Sequence, residues 1–106
     1  GFRLDPDALP RDAVIGLLAK EAVAYLEVNL EAGVQYMIEA FCDEDCDDLD
    51  LALLSPSGES VTGDVEDDDV PELHFQASES GRYYLGVKMV ACETSLCYFG
   101  YRVLRK

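Results

Sequence analysis

Cys42-Asp43-Glu44-Asp45-Cys46-Asp47-Asp48-Leu49-Asp50-Leu51-Ala52-Leu53 is the stretch whose reading decides the fold. Its second half alternates: Leu49, Leu51 and Leu53 fall on one parity, Asp48, Asp50 and Ala52 on the other. A period of two is the mark of a half-buried strand, with the leucines toward a core and the aspartates toward water. Its first half holds two cysteines and a dense run of acids. Six of the eight residues from Asp43 to Asp50 are acidic. Such like charge needs a cation, a basic partner or full solvation beside it.

The same period recurs along the chain. Val34, Tyr36, Ile38 and Ala40 alternate with Gln35, Met37 and Glu39, and Leu73, Phe75 and Ala77 with Glu72, His74 and Gln76. Tyr83, Leu85, Val87 and Met89 mark a long strand, 98–104 the last one, and 59–63 a short one. Glu31-Ala32-Gly33, Ser55-Pro56-Ser57-Gly58 and Ser78-Glu79-Ser80-Gly81 are turns by their Gly, Pro and Ser positions. Short strands with regular turn signals predict an all-β antiparallel sandwich of about eight strands. The stretch 12–30 reads two ways. As a helix it has Asp12 as N-cap and Gly33 as terminator. As strands it splits at Ala19-Lys20-Glu21, and 22–30 alternates with period two. Residues 1–12, with two prolines and three aspartates, read as a lead-in loop before a single domain over 13–106.

The chain has 106 residues, 49% of them apolar, and a net charge of −14 from 22 acidic and 8 basic residues. That balance excludes nucleic-acid binding, which needs a basic face against phosphates. It disfavours anionic membranes and favours divalent cations and basic partners. No apolar run approaches the roughly 18 residues that span a bilayer. Gly1-Phe2-Arg3-Leu4-Asp5-Pro6 has no basic segment leading into an apolar one, so a signal peptide is expected to have been removed.

The four cysteines fall into two close pairs, Cys42/Cys46 and Cys92/Cys97. An even count in a small acidic domain suggests disulfides and a secreted or periplasmic location. Three pairings are open, and the local pairs are the expected ones. The rival is a four-thiolate zinc site. Its usual knuckles are tighter than the C-x3-C and C-x4-C seen in this chain.

Three segments resemble bacterial pre-peptidase C-terminal domains. Leu30-Glu31-Ala32-Gly33-Val34-Gln35-Tyr36 is similar to their L-x-A-G-x-x-Y entry. Asp48-Leu49-Asp50-Leu51-Ala52-Leu53 followed by Ser57-Gly58 is similar to their D-L-D-L-x-L segment and its following glycine. Ser80-Gly81-Arg82-Tyr83-Tyr84-Leu85-Gly86-Val87 is similar to their S-G-x-Y strand. The cysteine pairs resemble a subgroup of small secreted bacterial proteins. The resemblance implies a jelly-roll-like sandwich, two strands rather than a helix over 13–30, and a secreted, non-catalytic accessory module. Related collagen-binding domains of clostridial collagenases have a similar sandwich and bind calcium.

Two kinds of site follow. The first is a calcium site. Asp48 and Asp50 share a strand face roughly 7 Å apart, and a second acidic cluster runs from Asp64 to Asp69. Should the clusters meet, Asp47, Asp48, Asp50, Asp64 and Asp67 supply the oxygen ligands Ca²⁺ prefers, with Asp5 and Asp7 as helpers. An EF-hand is excluded, since its glycine and glutamate positions hold Asp48 and Leu54. The competing reading is a solvated, edge-protecting loop. The second is a tyrosine face, with Tyr84 and Tyr101 opposite Tyr83 and Tyr98, for an extracellular protein or polysaccharide. A hydrolase is the weakest reading. His74 is the single histidine, on a strand, with no G-x-S-x-G motif in the chain.

Overall fold

The computed structural model describes residues 1–9, 13–64 and 71–106, with Asp64 described through its backbone. Among these residues there are nine strands: β1 Arg3–Leu4, β2 Val14–Leu18, β3 Val23–Leu30, β4 Gln35–Cys42, β5 Cys46–Leu54, β6 Ser60–Asp64, β7 Glu72–Gln76, β8 Gly81–Cys92 and β9 Cys97–Arg105. They form two antiparallel sheets packed face to face. One runs β1–β9–β4–β7, with β2 also on β9; the other runs β3–β8–β5–β6. Of consecutive described strands, only β5 and β6 pair with each other. From β2 onward the chain otherwise passes from sheet to sheet, and this crossing gives the jelly-roll character.

Within the stretch 12–30, the described residues 13–30 resolve as strands. β2 and β3 meet at a turn in which Ala22 N–H donates to Ala19 C=O at 3.0 Å and Glu21 takes a φ of 67°. Helix formation there loses to burial. Val28 and Leu30 lie in the core from β3, a placement only the period-two face allows. The turn at Ser55–Gly58 closes through Gly58 N–H to Ser55 C=O at 2.8 Å, with Gly58 at φ 90°.

The alternating parities fill the space between the sheets. Ile38, Leu49, Leu51, Leu53, Leu85, Val87, Met89 and Val103 are fully buried. Two core tyrosines keep their hydroxyls paired: Tyr83 donates to Glu79 C=O and Tyr36 accepts from Glu31 N–H, both at 2.8 Å. Buried phenols require such partners.

The lead-in segment is more than a loop. Arg3 and Leu4 pair with Arg105 and Leu104, and Ala8 and Leu9 are buried in the core. The Asp5 side chain is buried, accepts from Asp7 N–H at 2.9 Å and lies 3.8 Å from Arg105, which also reaches Glu31 at 3.1 Å. A buried carboxylate with its own cation ties the segment to the sandwich end.

Three strand glycines each face an aromatic ring directly across a ladder: Gly16 and Phe99, Gly86 and Tyr25, Gly100 and Phe41. At Gly16 and Gly100 the ring lies where a Cβ would stand, and at Gly86 it comes within 3.1 Å of that point. The missing side chain leaves backbone open, and the opposed ring covers it.

Candidate functional site

The structure pairs Cys42 with Cys46 and Cys92 with Cys97 and leaves no cysteine free. Each bridge joins strands of different sheets. Cys42 ends β4 and Cys46 begins β5; Cys92 ends β8 and Cys97 begins β9. The two bridges therefore hold both sheets together at one end of the sandwich. Cys46 also lies directly across from Cys92, and Cys42 from Phe99, which sets the two closed loops side by side.

Backbone bonds fasten one loop to the other. Glu93 N–H donates to Asp45 C=O at 2.8 Å, and Asp43 N–H to Tyr98 C=O at 3.2 Å. The Asp43 carboxylate accepts from Tyr98 N–H at 2.9 Å and from Asp45 N–H at 3.2 Å. Asp43, Glu44, Asp45 and Glu93 are thereby gathered in one rigid acidic rim.

Beside this rim, the bridge end of the outer face of β2, β9 and β4 is apolar, and Glu39 pairs with Arg102 farther along it. Ile15, Phe41 and Tyr98 are 68%, 39% and 56% exposed, and Leu17 and Leu96 are exposed with them. Register explains the grouping. Ile15 and Phe41 both oppose Gly100, and Leu17 opposes Tyr98, so their side chains share one face. Gly100 lacks a side chain and Phe41 leans over it, which leaves a shallow groove of about 310 Å³ lined by Ile15, Phe41, Cys42, Asp43, Tyr98 and Phe99. Contiguous apolar surface beside polar residues is the usual anatomy of an interaction site.

The expected tyrosine face does not form. Tyr84 is half-buried on the outer face of β8, whereas Tyr101 is 1% exposed and points between the sheets. Burial pushes the Tyr101 phenol up to about 12 and, as the largest cause, raises that of Tyr36 as well. The parity on β9 is the reverse of the expected one: Tyr98 faces water and Tyr101 the core. The signal was present in the sequence. Arg102 shares the parity of Tyr98, and Val103 that of Tyr101.

The expected calcium ligands are only partly described. Asp47 is exposed, Asp48 and Asp50 are half-buried on β5, the side chain of Asp64 is not described, and Asp67 lies outside the described residues. Asp50 stands directly across from Lys88, which brings a cation to that side already. Asp5 and Asp7 sit with Arg105 and the β3–β4 turn. Among the described residues, no three His, Cys, Asp or Glu side chains are arranged to hold a metal ion. His74 is exposed 3.5 Å from Glu72 and edge-on to Phe2, on an open strand face.

These features define an all-β, disulfide-stapled sandwich with a jelly-roll topology, and disulfides of this kind persist in oxidising compartments. No protein-family model and no curated protein sequence matches the chain. Among solved structures, it is similar to PliG of Aeromonas hydrophila, a periplasmic lysozyme inhibitor of g-type lysozyme. The TM-score is 0.65 at 12% identity, over 89% of this chain and 84% of that one. It also aligns with a carbohydrate-binding module, CBM6cm-2 of Cellvibrio mixtus lichenase 5A, with a TM-score of 0.47 at 11% identity, over 81% of this chain and 72% of that one.

Proposed function

We propose that this chain is a non-catalytic binding module that works outside the cytoplasm and docks a cationic protein on its disulfide-stapled end. The observation that carries this is the juxtaposition of exposed Ile15, Phe41 and Tyr98 with the rigid acids Asp43, Glu44 and Asp45. The apolar centre supplies contact area, and its aromatic anchors are the residue types that dominate binding energy. The acidic rim steers and selects a positive partner, adding to the field of a chain with net charge −14. Rigidity matters too. A loop held by a disulfide and by cross-loop hydrogen bonds loses little freedom on docking. The resemblance to pre-peptidase C-terminal domains belongs to this reading as an accessory-module precedent; its three segments fall on the β3–β4 turn, on β5 and on β8.

Binding to purified cationic proteins by surface plasmon resonance tests the proposal. g-Type lysozyme is the first probe, because the solved structure similar in fold inhibits it; c-type lysozyme is the second and serum albumin the acidic control. We expect saturable binding to a cationic probe that weakens as salt rises, and its loss in Ile15→Asp with unfolding behaviour unchanged. Failure of both cationic probes to bind, or equal binding by Ile15→Asp, overturns it.

A further inference from the structure

The opposite sheet carries a second site of different chemistry. Across β3, β8, β5 and β6 the register sets Tyr25, Gly86, Ala52 and Gly63 in one row. Directly opposed residues point to the same side of a sheet, so one aromatic ring is followed by three positions with little or no side chain. The row on one side holds Val23, Lys88 and Asp50. The row on the other side holds Glu27, Tyr84 and Leu54. The result is a trough about 320 Å³ in volume, lined by Val23, Tyr25, Asp50, Ala52, Gly86 and Lys88 among others. Its floor runs across four strands, roughly 14 Å at the usual strand spacing.

Tyr25 is 65% exposed. A Cβ on Gly86 would stand 3.1 Å from Tyr25 Cε1 and 3.4 Å from its Cδ1, so one edge of the ring leans over the glycine. An exposed aromatic ring seated on a glycine at the end of a trough offers a surface for stacking.

We infer that this trough binds a short neutral oligosaccharide. A sugar ring has a polarised C–H face that suits the negative face of Tyr25 and edge hydroxyls that suit the donor of Lys88 and the acceptor of Asp50. Anionic glycans and nucleic acids are opposed by the net charge of −14. A peptide adding as a strand pairs along an outer strand, β3 or β6, whereas the trough crosses the sheet with its centre on β8 and β5, which are paired on both sides. The site is separate from the cationic-protein face, which lies on the other sheet.

The test is a titration of isotopically labelled protein with cellohexaose, chitohexaose, xylohexaose and maltohexaose, followed by NMR. At least one sugar is expected to shift the amides of Tyr25, Ala52, Gly63 and Gly86 saturably, with a Kd of about 1 mM or tighter. Tyr25→Ala weakens that binding about tenfold or more, the effect of losing an aromatic anchor. Ala52→Leu, which leaves Tyr25 on Gly86 and fills the floor, abolishes it. Ile15→Asp leaves it unchanged, so this site and the cationic-protein face fail or stand separately. No saturable shift with any of the four sugars overturns the inference, as do shifts centred elsewhere or wild-type binding by Ala52→Leu. The wild-type shift map decides the matter on its own if a variant does not fold.

Discussion

The ring of Phe41 lies on Gly100, its directly opposed residue across the β4–β9 ladder, in the space a Cβ would occupy. This contact shapes the apolar face, because it keeps Phe41 low and leaves room between it and Ile15. Gly100→Ala is expected to lift the ring and to crowd Val14 C=O, which would stand 3.2 Å from the new Cβ. We expect a loss of about 1–2 kcal/mol in urea unfolding, within the range for overpacking, and weaker docking of the cationic probe. A Gly100→Ala protein with wild-type stability and binding would show that the seat is not needed.

Tyr101 gives the fold an alkaline limit. Burial raises its folded pKa to about 12, above the value of 10.0 it has when free. The folded state therefore holds its proton where the unfolded state has lost it. Its contribution is complete below about pH 10 and is lost as pH rises through 12, up to about 3 kcal/mol. Tyr101→Phe should flatten this part of the stability–pH curve, measured by urea unfolding at stepped pH. An unchanged slope would assign the alkaline loss to other groups.

The two disulfides close short loops, with sequence separations of 4 and 5. Loop-entropy arguments give roughly 2 kcal/mol for each. Reduction, or Cys42→Ala with Cys46→Ala, should lower stability by about that much per bridge and weaken docking further by loosening the acidic rim. Thermal unfolding with and without reductant, followed by binding to the cationic probe, checks both parts. Reduced protein that binds as tightly as oxidised protein would remove rigidity from the account.

Arg105 holds the lead-in segment. It lies beside the buried carboxylate of Asp5 and reaches Glu31. Arg105→Met leaves Asp5 buried without that cation, so the urea midpoint should fall. Arg82→Met, which breaks the 3.6 Å pair with exposed Glu27, should leave the midpoint unchanged. Equal effects would mean that the Asp5 pair is no more coupled than a surface pair.

Much of the fold was legible from alternation alone. Leu49, Leu51 and Leu53 face the core as their parity requires, and the turn at Ser55–Gly58 falls where Pro and Gly put it. The helix reading of 12–30 lacked any sign of its partner strands, so periodicity left it open until β9 and β8 supplied them. The candidate sites were less legible. Neither Ile15 nor Phe41 stands out in the sequence, because an apolar residue on a strand is ordinarily assigned to the core. Tyr25 likewise gave no sign that a glycine on another strand would seat its ring.

The sequence by itself determined the period, the turns, the acidic charge and the spacing of the cysteine pairs, because these are local properties of the chain. Tertiary structure decided which apolar residues remain uncovered and which distant acids adjoin them. Alternation says that two faces exist, but burial of one depends on the strand packed against it. That choice brings Ile15, Phe41 and Tyr98 from three strands to one face beside Asp43. On the other sheet it leaves Tyr25 at the end of a row of glycine and alanine.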